Sequence, residues 1–131
     1  MRLISLSVVM ALFAAPALAQ ELDCNNALTQ SDMTQCAYQG WQYADGDLNA
    51  TYRLAVSWAK ETDASLPDDL KGAETALREG QRAWITVRDK TCELAGFVAR
   101  GGSMEPSLVY ACMEDLTRAR SEELRSLTEM N

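Results

Sequence analysis

Four cysteines, Cys24, Cys36, Cys92 and Cys112, are the residues of this 131-residue chain whose chemistry is most tightly bounded by the rest of the sequence. A cysteine can serve as a thiolate nucleophile, a soft metal ligand or half of a disulfide. The nucleophilic use needs a base, and with no histidine neither a Cys-His nor a Ser-His pair can be built. There is no C-x-x-C pair either, so no metal site and no cofactor is expected. Disulfides remain, and an even cysteine count behind an export signal reads as two of them.

Residues 1–19, MRLISLSVVMALFAAPALA, carry that signal. Arg2 gives a basic start, Leu3 to Leu18 is almost wholly apolar, and Ala17-Leu18-Ala19 forms an A-x-A cleavage site before Gln20. The stretch is too short and wrongly flanked to span a membrane. Glu21-Leu22-Asp23 lacks the small residues of a lipid-attachment site before Cys24. Residues 20–131 are therefore expected to form a single soluble domain, periplasmic or secreted, with no membrane anchor.

Carboxylates are the other abundant reactive groups. The 19 acidic residues against 12 basic ones give a net charge of −7, and loss of Arg2 with the leader makes the remainder one unit more negative. Such a surface repels nucleic acid and anionic membranes and attracts a basic partner. Neighbouring pairs occur at Asp45/Asp47, Asp68/Asp69 and Glu122/Glu123, which composition alone produces on solvated faces. A glycan hydrolase would need two of them facing one cleft, and the chain is read as non-enzymatic. Gly101-Gly102 follows a helix end rather than a strand, so no phosphate-binding motif is present.

The elements that position these residues are helical, with no alternating strand pattern. A first helix, capped by Thr29 or Ser31 and running to about Thr62, places Met33, Ala37, Trp41, Ala44, Leu48, Tyr52, Ala55 and Ala59 on one face. Gly46 weakens it by about 1 kcal/mol and marks a site for a bend near Asp45-Gly46-Asp47. A second helix is expected from about Pro67 to Phe97, with the stripe Leu70, Ala73, Leu77, Gln81, Trp84, Arg88 and Cys92. After the loop Arg100-Gly101-Gly102-Ser103, a third helix carries Val109, Cys112, Leu116, Arg120, Leu124 and Leu127. Short connections imply an all-α, small antiparallel three-helix bundle with two disulfides.

In that layout Cys36, Cys92 and Cys112 share one end of the bundle. Three connectivities are open to four cysteines. The layout favours Cys24–Cys36 and Cys92–Cys112, the second closing the glycine loop. Gln81, Arg88 and Arg120 stand where a plain bundle has leucine. Equal rise per residue brings Asp45, Trp84 and Arg120 to one height, which predicts an Asp45–Arg120 contact beside the Trp84 ring with Asn49 nearby. Arg88, one turn nearer the cysteines, is expected to reach a carboxylate or helix-end carbonyls. This polar layer of Asp45, Asn49, Gln81, Trp84, Arg88 and Arg120 reads first as a structural device that fixes helix register. Among the tryptophans, Trp58 is the expected surface aromatic.

Several runs together resemble a known family. They are Met33-x-x-Cys36-Ala37, Ala44-Asp45-x-x-Leu48-Asn49-x-x-Tyr52, Gln81-Arg82-Ala83-Trp84-Ile85-x-x-Arg88-Asp89-x-x-Cys92, and Cys112-x-x-x-Leu116-Thr117-x-x-Arg120-x-x-x-Leu124. In this order they are similar to the LprI-type lysozyme-inhibitor domain of bacterial exported proteins, across about Asp23 to Leu127. The resemblance implies a helical, secreted, disulfide-bonded module and, for some members, inhibition of lysozyme. A basic lysozyme-type protein is then the expected partner, with Arg100-Gly101-Gly102-Ser103 as the candidate inhibitory loop. The alternative is a non-enzymatic envelope module with another protein partner. Oligomeric state is left open by the sequence.

Overall fold

The computed structural model describes residues 22–129, so the expected signal segment 1–19 lies outside the described residues. A 3-10 turn at Cys24–Asn26 leads into α1 (Gln30–Ser65). A second turn at Asp68–Leu70 precedes α2 (Ala73–Gly96), and a third at Phe97–Ala99 precedes α3 (Glu105–Glu129). No strand occurs among the described residues. The fold is an all-α three-helix bundle. α1 and α3 run in the same direction, since Gln30 meets Ser107 at one end (3.0 Å) and Asp47 meets Arg125 further along (2.6 Å). α2 returns antiparallel to both, with Arg88 reaching Asp45 and Thr117, and Gln81 reaching Arg120.

Thr29 starts α1 by accepting a hydrogen bond from the Asp32 amide at 3.1 Å, which satisfies one of the donors a helix start leaves open. The helix then runs unbroken through Asp45-Gly46-Asp47 to Ser65. Its buried face of Ala44, Leu48, Thr51, Ala55 and Ala59 lies on both sides of Gly46, and packing of that face outweighs one glycine's low propensity.

α2 begins at Ala73, six residues later than Pro67, where the sequence places it. Gly72 has φ of 154°, a backbone state that interrupts the helix before Ala73. Asp63 of α1 reaches across the connector. Its Oδ1 accepts the Gly72 and Ala73 amides at 2.8 and 2.9 Å, and its Oδ2 accepts the Glu74 amide at 3.1 Å. A side chain nine residues upstream thus does the work of an N-cap.

The core joins Leu48 and Ala55 of α1 to Leu124 of α3, with Tyr52, Leu77 and Trp84 packed against them. Thr117 and Ser121 of α3 are completely buried beside this cluster. Their small volume, like that of the α1 alanines, lets helix backbones approach closely. Met33 and Leu127, at the helix ends, are each more than two-fifths exposed. Trp58 is partly exposed, as are Trp41 and Trp84, while Tyr43 and Phe97 are the more exposed aromatics, with 74% and 51% of their surface accessible. Two disulfides, Cys24–Cys36 and Cys92–Cys112, hold Cα atoms 5.5 and 5.4 Å apart. The first pins the leader turn to α1, and the second ties α2 to α3.

Candidate functional site

Two features near the disulfide end carry most of the polar chemistry. The first is the layer built around Arg88, on the buried face of α2 one turn before Cys92. Its side chain is 8% exposed. Nη1 lies 3.6 Å from Asp45 Oδ1 and donates to Thr117 Oγ1 at 3.4 Å, while Nε donates to Asp89 Oδ1 at 2.9 Å. The guanidinium carbon sits 5.1 Å from the Trp84 ring centre and 6.0 Å from that of Trp41. Trp41 stacks on Tyr110, and Tyr38 meets both rings. Burying a guanidinium is tolerable here because carboxylates, a hydroxyl and π faces surround it.

Arg120 also approaches the Trp84 ring, at 5.9 Å. Its Nε donates to Gln81 Oε1 at 3.0 Å and its Nη1 to Glu123 at 2.7 Å. The expected Asp45–Arg120 contact is therefore not formed. Asp45 instead accepts from Asn49 Nδ2 at 3.0 Å and pairs with Arg88. Equal height is not equal azimuth: Gln81 and Glu123 lie nearer the Arg120 fork, and Arg88 claims Asp45. All six expected members of the layer are present, as two arginine clusters that share one indole. Thr117, Tyr38 and Tyr110 also belong to it. Thr117, which the sequence reading left without a role, follows Leu116 and precedes Arg120 by three, the spacing of one helix face.

The carboxylate pairs do not face one another across a cleft. Asp45 and Asp47 meet Arg88 and Arg125, Asp68 meets Lys71, and Glu122 and Glu123 meet Arg125 and Arg120. A shallow cleft of about 500 Å³ lies against the Cys24–Cys36 disulfide, lined also by Gln39, Gly40 and Tyr43. It contains one carboxylate, Asp23, where a glycosidase uses two. No group of three or more His, Cys, Asp or Glu side chains among the described residues could hold a metal ion.

The second feature is the tip joining α2 to α3. Glu105, the first residue of α3, accepts hydrogen bonds from the Gly101 amide (2.7 Å) and from Arg100 Nη1 (2.6 Å). These donors, the backbone amide first, hold its carboxyl below the usual glutamate value. Gly101, at φ of 77°, allows the turn that presents its amide. Gly102 donates to the Ala99 carbonyl at 2.8 Å, and the Glu105 amide to the Gly102 carbonyl at 3.2 Å. The Cys92–Cys112 disulfide closes the base. A hydrogen-bonded turn fixed in this way still exposes Phe97 (51%), Val98 (85%) and Met104 (46%). Arg100 lies over the Phe97 ring at 4.4 Å. The result is a firm, convex, partly apolar tip bearing one guanidinium, within which all four expected loop residues, Arg100 to Ser103, are exposed.

Residues 24–124 match the protein family described as Lysozyme inhibitor LprI. The chain belongs to the LprI family. An uncharacterized protein of Rhizobium meliloti strain 1021 is 52% identical to it over 120 residues, covering 88% of this chain and 86% of that one. The crystal structure of a DUF1311 family protein from Pseudomonas putida KT2440 superposes with a TM-score of 0.68 at 21% identity, covering 81% of this chain and all of the other. That likeness shows a shared fold. The LprI match spans the leader turn, all of α1 and α2, the tip, and α3 up to Leu124, so both disulfides and both arginine clusters fall inside it. No helix among the described residues is long and apolar enough to cross a membrane.

Proposed function

We propose that this LprI-family protein is exported by residues 1–19 and blocks a lysozyme-type muramidase in the periplasm or outside the cell. The observation that carries this reading is the family match over residues 24–124. The tip gives it a geometry. A muramidase cleft is a concave sugar-binding groove with a catalytic carboxylate pair. A convex loop with Phe97, Val98 and Met104 exposed offers apolar contact to such a groove, and Arg100 offers a cation to its carboxylates. The Glu105 hydrogen bonds and the Cys92–Cys112 bond hold the loop in one shape before contact, which reduces the ordering cost of binding. The acidic surface of the bundle attracts a basic enzyme and speeds encounter.

Turbidity assays on cell-wall suspensions, with purified protein and a panel of basic muramidases at low salt, test the proposal. The expected result is slowed lysis that weakens as salt rises, and weaker inhibition by Arg100→Glu. Unchanged lysis across the panel at micromolar excess of inhibitor overturns it.

A further inference from the structure

α2 has a second uncharged face that nothing among the described residues covers. Ala76, Gly80, Ala83, Val87, Thr91 and Leu94 recur at spacings of three and four, and all are exposed. Val87 and Leu94 expose 62% and 69% of their surface. A Cβ added at Gly80 would meet nothing within 4 Å. This face lies about a quarter turn from the one buried in the bundle, since five of its six positions precede a core-side position (Leu77, Gln81, Trp84, Arg88, Cys92) by one residue or about 100°. Residues on it are small toward the N-terminus and large toward the C-terminus.

We infer that this face of α2 packs antiparallel against the same face of a second copy of the chain. A two-fold axis through the middle of α2 sets Ala76 opposite Leu94, Gly80 opposite Thr91 and Ala83 opposite Val87, so each small residue receives a large one. Such an isologous contact is self-complementary by construction. Charge agrees with shape. Glu79 and Lys90 lie on the same edge of the stripe, and an antiparallel pair brings like edges together. Glu79 of one copy then faces Lys90 of the other, twice. Lys90 meets Glu93 within its own chain at 2.7 Å, and both side chains are at least half exposed, so this cation is free to exchange partners.

The same register leaves the Phe97–Met104 tips at opposite ends of the pair, so the dimer is bivalent. One helix pair buries less than the ~1,600 Å² of a standard interface, so the association is reversible and concentration-dependent. The inference is independent of the muramidase reading.

Sedimentation velocity of the purified protein from low to high micromolar concentration tests it. The expected result is a monomer–dimer equilibrium that Val87→Glu weakens by about tenfold or more. Glu79→Lys alone weakens it too, and Glu79→Lys with Lys90→Glu restores it. Circular dichroism verifies that each surface variant keeps its helices. A monomer at every concentration, a dimer indifferent to Val87→Glu, or a charge-swapped pair that stays weak overturns the proposal.

Discussion

Arg88 of α2 sits 3.6 Å from Asp45 of α1, with its guanidinium carbon 5.1 Å from the Trp84 ring centre. The arginine is buried and the aspartate is 42% exposed, so the two lose unequally when the pair is broken. Arg88→Ala removes the ion pair, the Thr117 hydrogen bond and the packing of the long stem, and urea unfolding should show a loss of about 3 kcal/mol. Arg88→Met restores most of the volume, and Asp45 can turn to water. Its loss should stay below ~1.5 kcal/mol. Equal losses in the two variants would mean that charge, rather than packing, holds this layer.

The helices were legible because each carries one apolar face with breaks where the chain turns. The cystine end of the bundle was legible because an up-down-up layout puts Cys36, Cys92 and Cys112 together; the pairing stayed open among three connectivities, and the favoured one is the one formed. What the sequence did not reveal is azimuthal or non-local. Rise per residue placed Asp45 level with Arg120, but the direction each side chain leaves its helix gave Asp45 to Arg88 and Arg120 to Gln81 and Glu123. The start of α2 was misplaced because its cap, Asp63, lies on another helix, where local capping patterns do not look. The tip was visible as a glycine loop. The use of Glu105 as its clasp was not, since Glu105 reads equally as an acidic first-turn residue.

Asp63 makes stability at the α1–α2 corner pH-dependent. Backbone amides of Gly72, Glu74 and Ala73, in that order of effect, hold its carboxyl below the ordinary value of 3.8. Its contribution is therefore complete above that value and is lost as pH falls through the lower folded one. Asp63→Asn should lower the melting temperature by a few degrees near neutral pH. The gap from the wild type should close as the pH is taken below 3.8. A gap that persists unchanged into acid would show that the carboxylate charge plays no part in the cap.

Glu105 should govern the order of the tip more than the stability of the bundle. Removing its carboxylate in Glu105→Ala frees the Gly101 amide and the Arg100 side chain together. Hydrogen exchange at Gly101 to Ser103 should quicken by about tenfold while the α2 and α3 cores stay protected. On the proposed function, muramidase inhibition should weaken with it, mainly through faster dissociation. Acid should act alike on the wild type as the pH drops below 4.5, since the folded carboxyl titrates lower than that.

The two disulfides should differ in worth although their loops are similar. Loop closure alone assigns about 3 kcal/mol to each, with the 20-residue loop ahead of the 12-residue one by only about 0.5 kcal/mol. Yet Cys24 lies in an exposed turn with no buried residues, whereas Cys92 is fully buried between α2 and α3. Paired Cys24→Ser and Cys36→Ser substitutions should free the leader turn with little change in the bundle's melting temperature. Paired Cys92→Ser and Cys112→Ser should lower that temperature markedly and loosen the tip. Proteolysis of residues before Thr29 in the first pair, and near Arg100 in the second, would report the two outcomes separately.

Gly46 and Gly96 should respond to alanine with opposite signs. Both lie in helices, so alanine lowers the backbone entropy cost by roughly 0.5–1 kcal/mol in each. At Gly46 a new Cβ meets nothing within 4 Å, and the gain should appear in full as added stability. At Gly96 the Cβ would stand 2.7 Å from Val109 Cγ2 and 3.3 Å from Glu105 Cγ, so these α3 side chains must give way. That strain falls on the segment carrying both the Glu105 clasp and Cys112. Overpacking of this kind costs about 1–3 kcal/mol and exceeds the entropic gain. Gly96→Ala should therefore lower the urea midpoint, and on the proposed function weaken inhibition, while Gly46→Ala raises the midpoint and leaves the tip unaltered. The close approach at Gly96 is what seats the tip on the bundle, and a neutral Gly96→Ala would show that α2 and α3 can separate there without disturbing it.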